Sequence, residues 1–170
     1  MFATKLSRMI TRVDPYSLPV PPGWFADRSG REGSSVVLFS PTVEDNFRAN
    51  VNVVIQDLAP LTQDKYLTLS RLQLRKLSNM PTLPVDEPSQ RFSGGHVFEW
   101  VTWEAPTPVR GRQLIAFRDG KAFVVTAMAT AASFDRHKPI FDAVLESFSY
   151  SVSVPRNTYG CLGPADLDNP

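Results

Sequence analysis

The 170-residue chain has a single cysteine, Cys161, which excludes an internal disulfide and is compatible with a reducing compartment. It has only two histidines, His96 and His137, and no C-x-x-C, H-E-x-x-H or G-x-S-x-G motif, so the common metal and nucleophile signatures are missing. The segment FSGGH at 92–96 lacks the later glycine, the lysine and the following helix of a phosphate loop. Long apolar runs are also absent: no window approaches the roughly 20 residues that span a bilayer. The first 17 residues hold Lys5, Arg8 and Arg12 but no apolar run of seven or more. They read as neither a secretory signal nor a lipoprotein leader; a short transit peptide is the alternative, and a cytoplasmic location is the expectation. Finally, no charge sign dominates. Eighteen Lys and Arg against 17 Asp and Glu give a formal charge of +1, with no basic stripe interleaved with aromatics. Neither nucleic acid nor an anionic membrane is implied by that balance.

What the chain does have is proline, 15 residues, nearly twice the usual share of about 5%. With 42% hydrophobic residues this is a folded chain punctuated by proline, not a disordered one. One domain of this size buries roughly two thirds of its unfolded surface and needs no metal or disulfide staple. The expected division is an N-terminal segment at 1–13, one domain at 14–152 and a polar, Gly/Pro-rich tail at 153–170.

The stretch YSLPVPPGWF at 16–25 admits two readings, a polyproline II ligand or a strand and turn. Leu18 and Val20 alternate, Pro22-Gly23 is a turn dipeptide, and an aromatic follows that requires burial. An edge strand and turn is therefore expected, with Trp24 or Phe25 in the core. Residues 34–41 and 49–58 read as an antiparallel pair, the second alternating Val51, Val53 and Ile55 with Asn50, Asn52 and Gln56. Residues 61–79 read as a helix capped by Thr62, with Tyr66, Leu67, Leu69, Leu74 and Leu77 on an apolar arc and Asp64, Thr68, Arg71 and Arg75 on a solvated back. After a proline-spiked connection at 80–92, residues 95–105, 110–119 and 121–130 read as a meander closed by the Asp119-Gly120 hairpin turn. Phe141, Val144, Leu145 and Phe148 mark a final helix within 133–150, preceded by an irregular turn at 134–138 because Pro139 belongs in a first turn.

The order β–β–β–α–β–β–β–α predicts an α+β fold, an α/β/α sandwich around a twisted, mostly antiparallel sheet of six or seven strands with two main helices. The meander is apolar on both sides. Phe98, Trp100, Ile115, Phe117, Phe123 and Val125 are the candidate residues of an apolar face available to a partner. Catalytic groups are sparse: His96 reads as a solvated edge residue after a turn, His137 as part of a charged first helical turn, and Cys161 as an exposed tail residue. Glu99 and Glu104 fall on opposite strand faces, so they read not as a paired-carboxylate site but as cross-strand ion-pair partners of Arg112 or Arg118. No enzyme activity, cofactor or metal is expected.

Several segments together resemble one family. YSLPVPPGW (16–24) resembles the opening strand and turn of the PsbP/DcrB-like group. SSVVLFSPTVEDNFRANVNVVIQDL is similar to its second hairpin and LTQDKYLTLSRLQL to its first helix. GRQLIAFRDGKAFVVTAMATAASFDRHKPIFDAVLESF resembles its closing hairpin and helix. The likeness covers residues 14–150 and rests on arrangement more than on any single motif. It implies an α/β/α sandwich. The group contains photosystem II extrinsic proteins, bacterial lipoproteins, a nuclear-import factor and the Eag chaperones of type VI secretion effectors, which bind or help assemble other proteins. The implied function is a non-enzymatic protein-binding module, a cytosolic chaperone or accessory factor shielding an apolar segment of a client such as a type VI effector. It has another protein as partner and a homodimer as its expected assembly, with no nucleic acid and no stable membrane insertion. A small apolar-ligand or lipid binder, or an assembly factor of the same fold, is the alternative.

Overall fold

A computed structural model describes residues 10–13, 15–30, 33–103 and 106–151. Its elements are β1 (Ile10–Val13), β2 (Tyr16–Pro19), β3 (Phe25–Asp27), β4 (Ser34–Phe39), β5 (Asn50–Asp57), α1 (Gln63–Ser78), β6 (Val85–Pro88), β7 (His96–Thr102), β8 (Val109–Arg118), β9 (Lys121–Thr130), α2 (Phe134–Ser147) and β10 (Ser149–Tyr150). Seven strands form one sheet in the order β3-β4-β5-β9-β8-β7-β6, every neighbouring pair antiparallel. A second sheet, β1-β2-β10, packs with α2 on one face of the first, and α1 lies on the other. This is the α+β sandwich expected from the sequence.

Local chemistry explains the boundaries. Thr62 Oγ1 accepts the Lys65 N–H at 3.3 Å at the start of α1, and Asn79, at φ 50°, turns the chain out while its N–H closes on the last carbonyls. Asp119 and Gly120 both have positive φ, 50° and 71°, as a two-residue hairpin requires. On the α2 side, Phe134, Phe141, Val144, Leu145 and Phe148 meet Val51, Val53, Phe123 and Val125 in the main core. Each fully buried phenylalanine there contributes about 2–3 kcal/mol of transfer free energy.

Three expectations need correction, and one alternative is resolved. β2 is the centre of its sheet, not an edge: β1 covers one side and β10 the other. Pro19 is tolerated because β10 reaches only Ser17 and Tyr16, leaving the proline a neighbour on one side alone. Trp24, edge-on to Phe141 at 6.3 Å, is the aromatic that packs on the core, whereas Phe25 is half exposed and stacks on Phe39. Helix α2 is continuous from Phe134, with Pro139 inside it. The proline removes only the bond to the carbonyl of Asp135, an exposed residue close to the helix start. Finally, the 80–92 connection contains strand β6, which is short, ends in Pro88 and forms the sheet's outer edge.

A half-covered sheet and its trough

The registers align residues in rows across the α1 side of the large sheet. One row runs Phe25, Phe39, Asn50, Met128, Gly111, Trp100; the next runs Asp27, Val37, Asn52, Thr126, Gln113, Phe98; a third joins Val54, Val124, Ile115 and His96. Helix α1 covers only the β7–β8 end of these rows, where Leu74 and Leu83 bury Phe98, Trp100, Ile115 and Phe117. Toward β3 no helix lies above the strands among the described residues, and Val37, Phe39, Val54, Val124 and Met128 stay half-buried. The floor is therefore mainly apolar side chains alternating with amides and one threonine, with Asp27 at its β3 edge and Asn50 and Thr126 themselves buried.

Where the open floor meets α1 it becomes a trough, with a cleft of about 210 Å³ between Val54, Gln56, Gln113 and Val124 below and Tyr66, Ser70 and Gln73 on the helix wall. Tyr66 donates to Gln56 across it, and Thr126 donates to Gln113 at 3.4 Å. At the far rim Arg48 lies 5.4 Å over the Phe25 ring. Burial pushes the Tyr66 phenol up, so it stays a neutral donor.

Helix α1 is rotated from its expected setting. Its core-facing line is half-buried Leu67 with buried Ser70, Leu74 and Ser78, while Leu69, Leu72 and Leu77 are 38%, 55% and 50% exposed. The floor is bulky, Phe98 and Trp100, so two serines on the buried line let the helix approach. Arg71, assigned to the solvated back, instead reaches β6. Its Nε and Nη2 donate to Asp86 at 2.5 and 2.9 Å, and Arg75 lies 4.0 Å away.

The six residues of the expected apolar face do not share one face. Phe98, Trp100, Ile115 and Phe117 lie under α1, Phe123 and Val125 on the opposite side in the α2 core, and all six are between 0% and 9% exposed. Parity within one strand says nothing about parity in its neighbour: Phe123 stands opposite Ala116, one residue out of phase with Ile115 and Phe117. The half-buried residues that do line the open floor, Val37, Phe39, Val54 and Met128, are isolated apolar positions in strands whose other face is core. The alternation of Asn50, Asn52 and Gln56 was the available signal.

His96 is not a solvated edge residue. It is 8% exposed, its Nε2 sits 2.7 Å from Asp86 Oδ1, and its ring packs on Phe98. Asp86 is already held by Arg71, whose hydrogen bond lowers the carboxyl pKa against partial burial, with His96 adding to the effect. A carboxylate neutralised in this way is a poor partner for acid–base work. His137 stacks on Phe141 and lies 3.4 Å from Glu44. Glu99 pairs with Arg112, as the cross-strand reading had it, and also with Arg110; Arg118 instead meets Asp119. Glu104 and Cys161 lie outside the described residues. No group of three His, Cys, Asp or Glu capable of holding a metal occurs among the described residues.

On the α2 side a cavity of about 420 Å³ opens where residues 87–92 pass beside the end of α2, floored by Val97, Leu114, Leu145 and Phe92. Arg91 holds this strap in place. Its guanidinium donates to the carbonyls of Leu145, Glu146 and Phe148, replacing the basic last-turn residue that α2 lacks. Arg91→Ala should cost about 2 kcal/mol, read as a lowered urea midpoint, with Arg91→Lys recovering only part of it because one ammonium cannot span three carbonyls.

A seven-stranded antiparallel sheet with one helix on each face, one face only half covered, places the chain among α+β sandwich folds. The particular fold is PsbP-like. The solution structure of the cyanobacterial PsbP protein CyanoP from Synechocystis sp. PCC 6803 superposes with a TM-score of 0.56 at 17% identity, over 81% of this chain and 87% of that one. LpqN of Mycobacterium tuberculosis, described as involved in cell envelope biogenesis, gives 0.57 at 13% identity, over 81% and 83%. PA94 from Pseudomonas aeruginosa gives 0.55 at 14% identity, over 88% and 98%. At these identities the likeness establishes the fold alone. No family model matches the chain and no curated protein matches it. Among the described residues no helix is long and apolar enough to cross a membrane.

Proposed function

We propose that the chain is a non-enzymatic protein-binding module that shields an apolar segment of another protein in the trough beside α1. The single observation carrying this is the uncovered half of the sheet. A floor of Phe39, Val37, Val54, Val124 and Met128, with charge only at its β3 rim in Asp27 and Arg48, suits an apolar segment, and the interspersed amides can answer its polar backbone or side chains. The family resemblance favours a cytosolic chaperone form of this reading, with a type VI secretion effector as the kind of client and a homodimer as the assembly; light scattering of the purified protein reports the last. The module is tested with a labelled synthetic peptide of about 20 leucines and alanines. The protein is expected to hold this peptide in solution at equal stoichiometry. Val54→Asp or Met128→Asp should weaken the affinity at least about tenfold, because each buries a charge against the ligand, while Val43→Ser, on an exposed loop, should not. Aggregation of the peptide at the same rate with and without the protein would remove the reading.

The cavity under the 87–92 strap favours a second reading, a small apolar ligand. Its volume of about 420 Å³ lies in the range of ligand pockets. Native mass spectrometry distinguishes them: a co-purified lipid lost in Leu114→Trp, with peptide binding intact, assigns the ligand to the cavity and not to the trough.

A further inference from the structure

The outward face of α1 carries a stripe that neither the core nor the trough uses. Lys65, Leu69, Leu72 and Lys76 stand at i, i+4, i+7 and i+11 on one side of the helix, and all four are exposed. Neither lysine takes part in an ion pair among the described residues. The acids nearest this face are few: Asp64 in the first turn, and Asp86 on β6, which Arg71, Arg75 and His96 already occupy. None of the four residues lines the trough or the α2-side cavity.

We infer that this stripe rests the protein on an anionic lipid surface, leucines toward the acyl boundary and lysines reaching to headgroups. Charge complementarity selects the occupant. A second copy is disfavoured, since antiparallel packing sets Lys65 against Lys76 of the partner and parallel packing sets like against like. The two ammonium groups are separated by roughly 16 Å along the axis, beyond the Debye length of about 8 Å. A plane of many negative headgroups answers both, whereas an acidic partner helix would need acids at that one spacing. Two lysines and two leucines give reversible, salt-sensitive contact and not anchoring. The chain's overall charge of +1 conceals this because only one of the acids, Asp64, lies on α1. The inference is independent of what the trough holds.

Vesicle flotation of the full chain tests it, comparing phosphatidylcholine with phosphatidylcholine containing one third phosphatidylglycerol at low salt. Partitioning onto the anionic vesicles should be higher by about thirtyfold, from two lysines near the surface, and fall in high salt. Lys65→Glu/Lys76→Glu should abolish that gain with an unchanged thermal midpoint. Leu69→Ser/Leu72→Ser should lower binding about tenfold, whereas Lys121→Glu, on the β8–β9 hairpin, should leave it alone. Equal binding to both vesicle types, or anionic binding that survives reversal of the lysine pair, overturns the inference. So does a wild type that ignores both vesicles yet binds helical polyglutamate, which would assign the stripe to an acidic protein.

Discussion

Truncating Glu99 to alanine is expected to destabilise the protein by about 3–4 kcal/mol, the lower part of the range for breaking a buried ion pair. Glu99 is 3% exposed on β7, on the α2 side of the sheet. Its Oε1 accepts from Arg112 at 2.6 Å and its Oε2 from Arg110 at 2.8 Å. Each guanidinium has a second acid on α2, Arg110 with Asp135 at 3.0 Å and Arg112 with Asp142 at 3.4 Å, and Arg110 also lies 4.4 Å over the Phe134 ring. The alanine variant leaves both arginines half-buried without their shared carboxylate, and the α2 acids offset part of the loss. Urea denaturation should therefore show a lower midpoint with an unchanged slope. Replacing all three residues at once, as Glu99→Met/Arg110→Leu/Arg112→Leu, should recover most of it, because no uncompensated charge remains. A triple variant no better than Glu99→Ala would mean that shape, and not charge, sets the cost.

The same clamp sets a pH dependence. Burial raises the Glu99 carboxyl pKa, but hydrogen bonds and charge from Arg110 and Arg112 outweigh it and hold the group below its ordinary value of 4.5. With the folded pKa below the unfolded one, the unfolded state binds the proton first as pH falls. The contribution is complete above the ordinary value and disappears as pH drops through the folded value. Glu99→Gln should therefore lie below wild type at neutral pH and converge on it in acid. A constant gap across that window would show that Glu99 does not titrate as described.

Gly111→Val should cost about 3 kcal/mol or more, although strand propensity alone favours valine. The Trp100 indole lies directly against Gly111: an added Cβ would clash with its Cζ2 and Cε2, with Nε1 at 2.9 Å. The two residues are direct cross-strand partners, so the glycine is required for a close approach, not for an unusual backbone. In a Trp100→Ala background, itself costing about 3–5 kcal/mol, the valine should become neutral or stabilising. That sign change in a double-mutant cycle isolates the contact; additive losses would show that Gly111 matters for another reason.

Much of the fold was legible because it depends on short-range pattern. Alternation over 50–57, the stripe Phe141, Val144, Leu145, Phe148 and the Asp119-Gly120 turn each follow from backbone geometry and a water-avoiding face. Strands β3, β6 and β10 were not legible. With three, four and two residues they have too little pattern of their own and exist because a neighbour supplies their hydrogen bonds. The candidate site shows the same division. The sequence by itself determined that both sides of the meander are apolar. Only the tertiary structure decided that Phe123 and Val125 turn away from Phe98 and Trp100, that Arg71 leaves the solvent for Asp86, and that α1 stops short of half the sheet. Register between strands and the rotation of a helix on its floor are set by contacts between distant residues, and no periodicity within one segment encodes them.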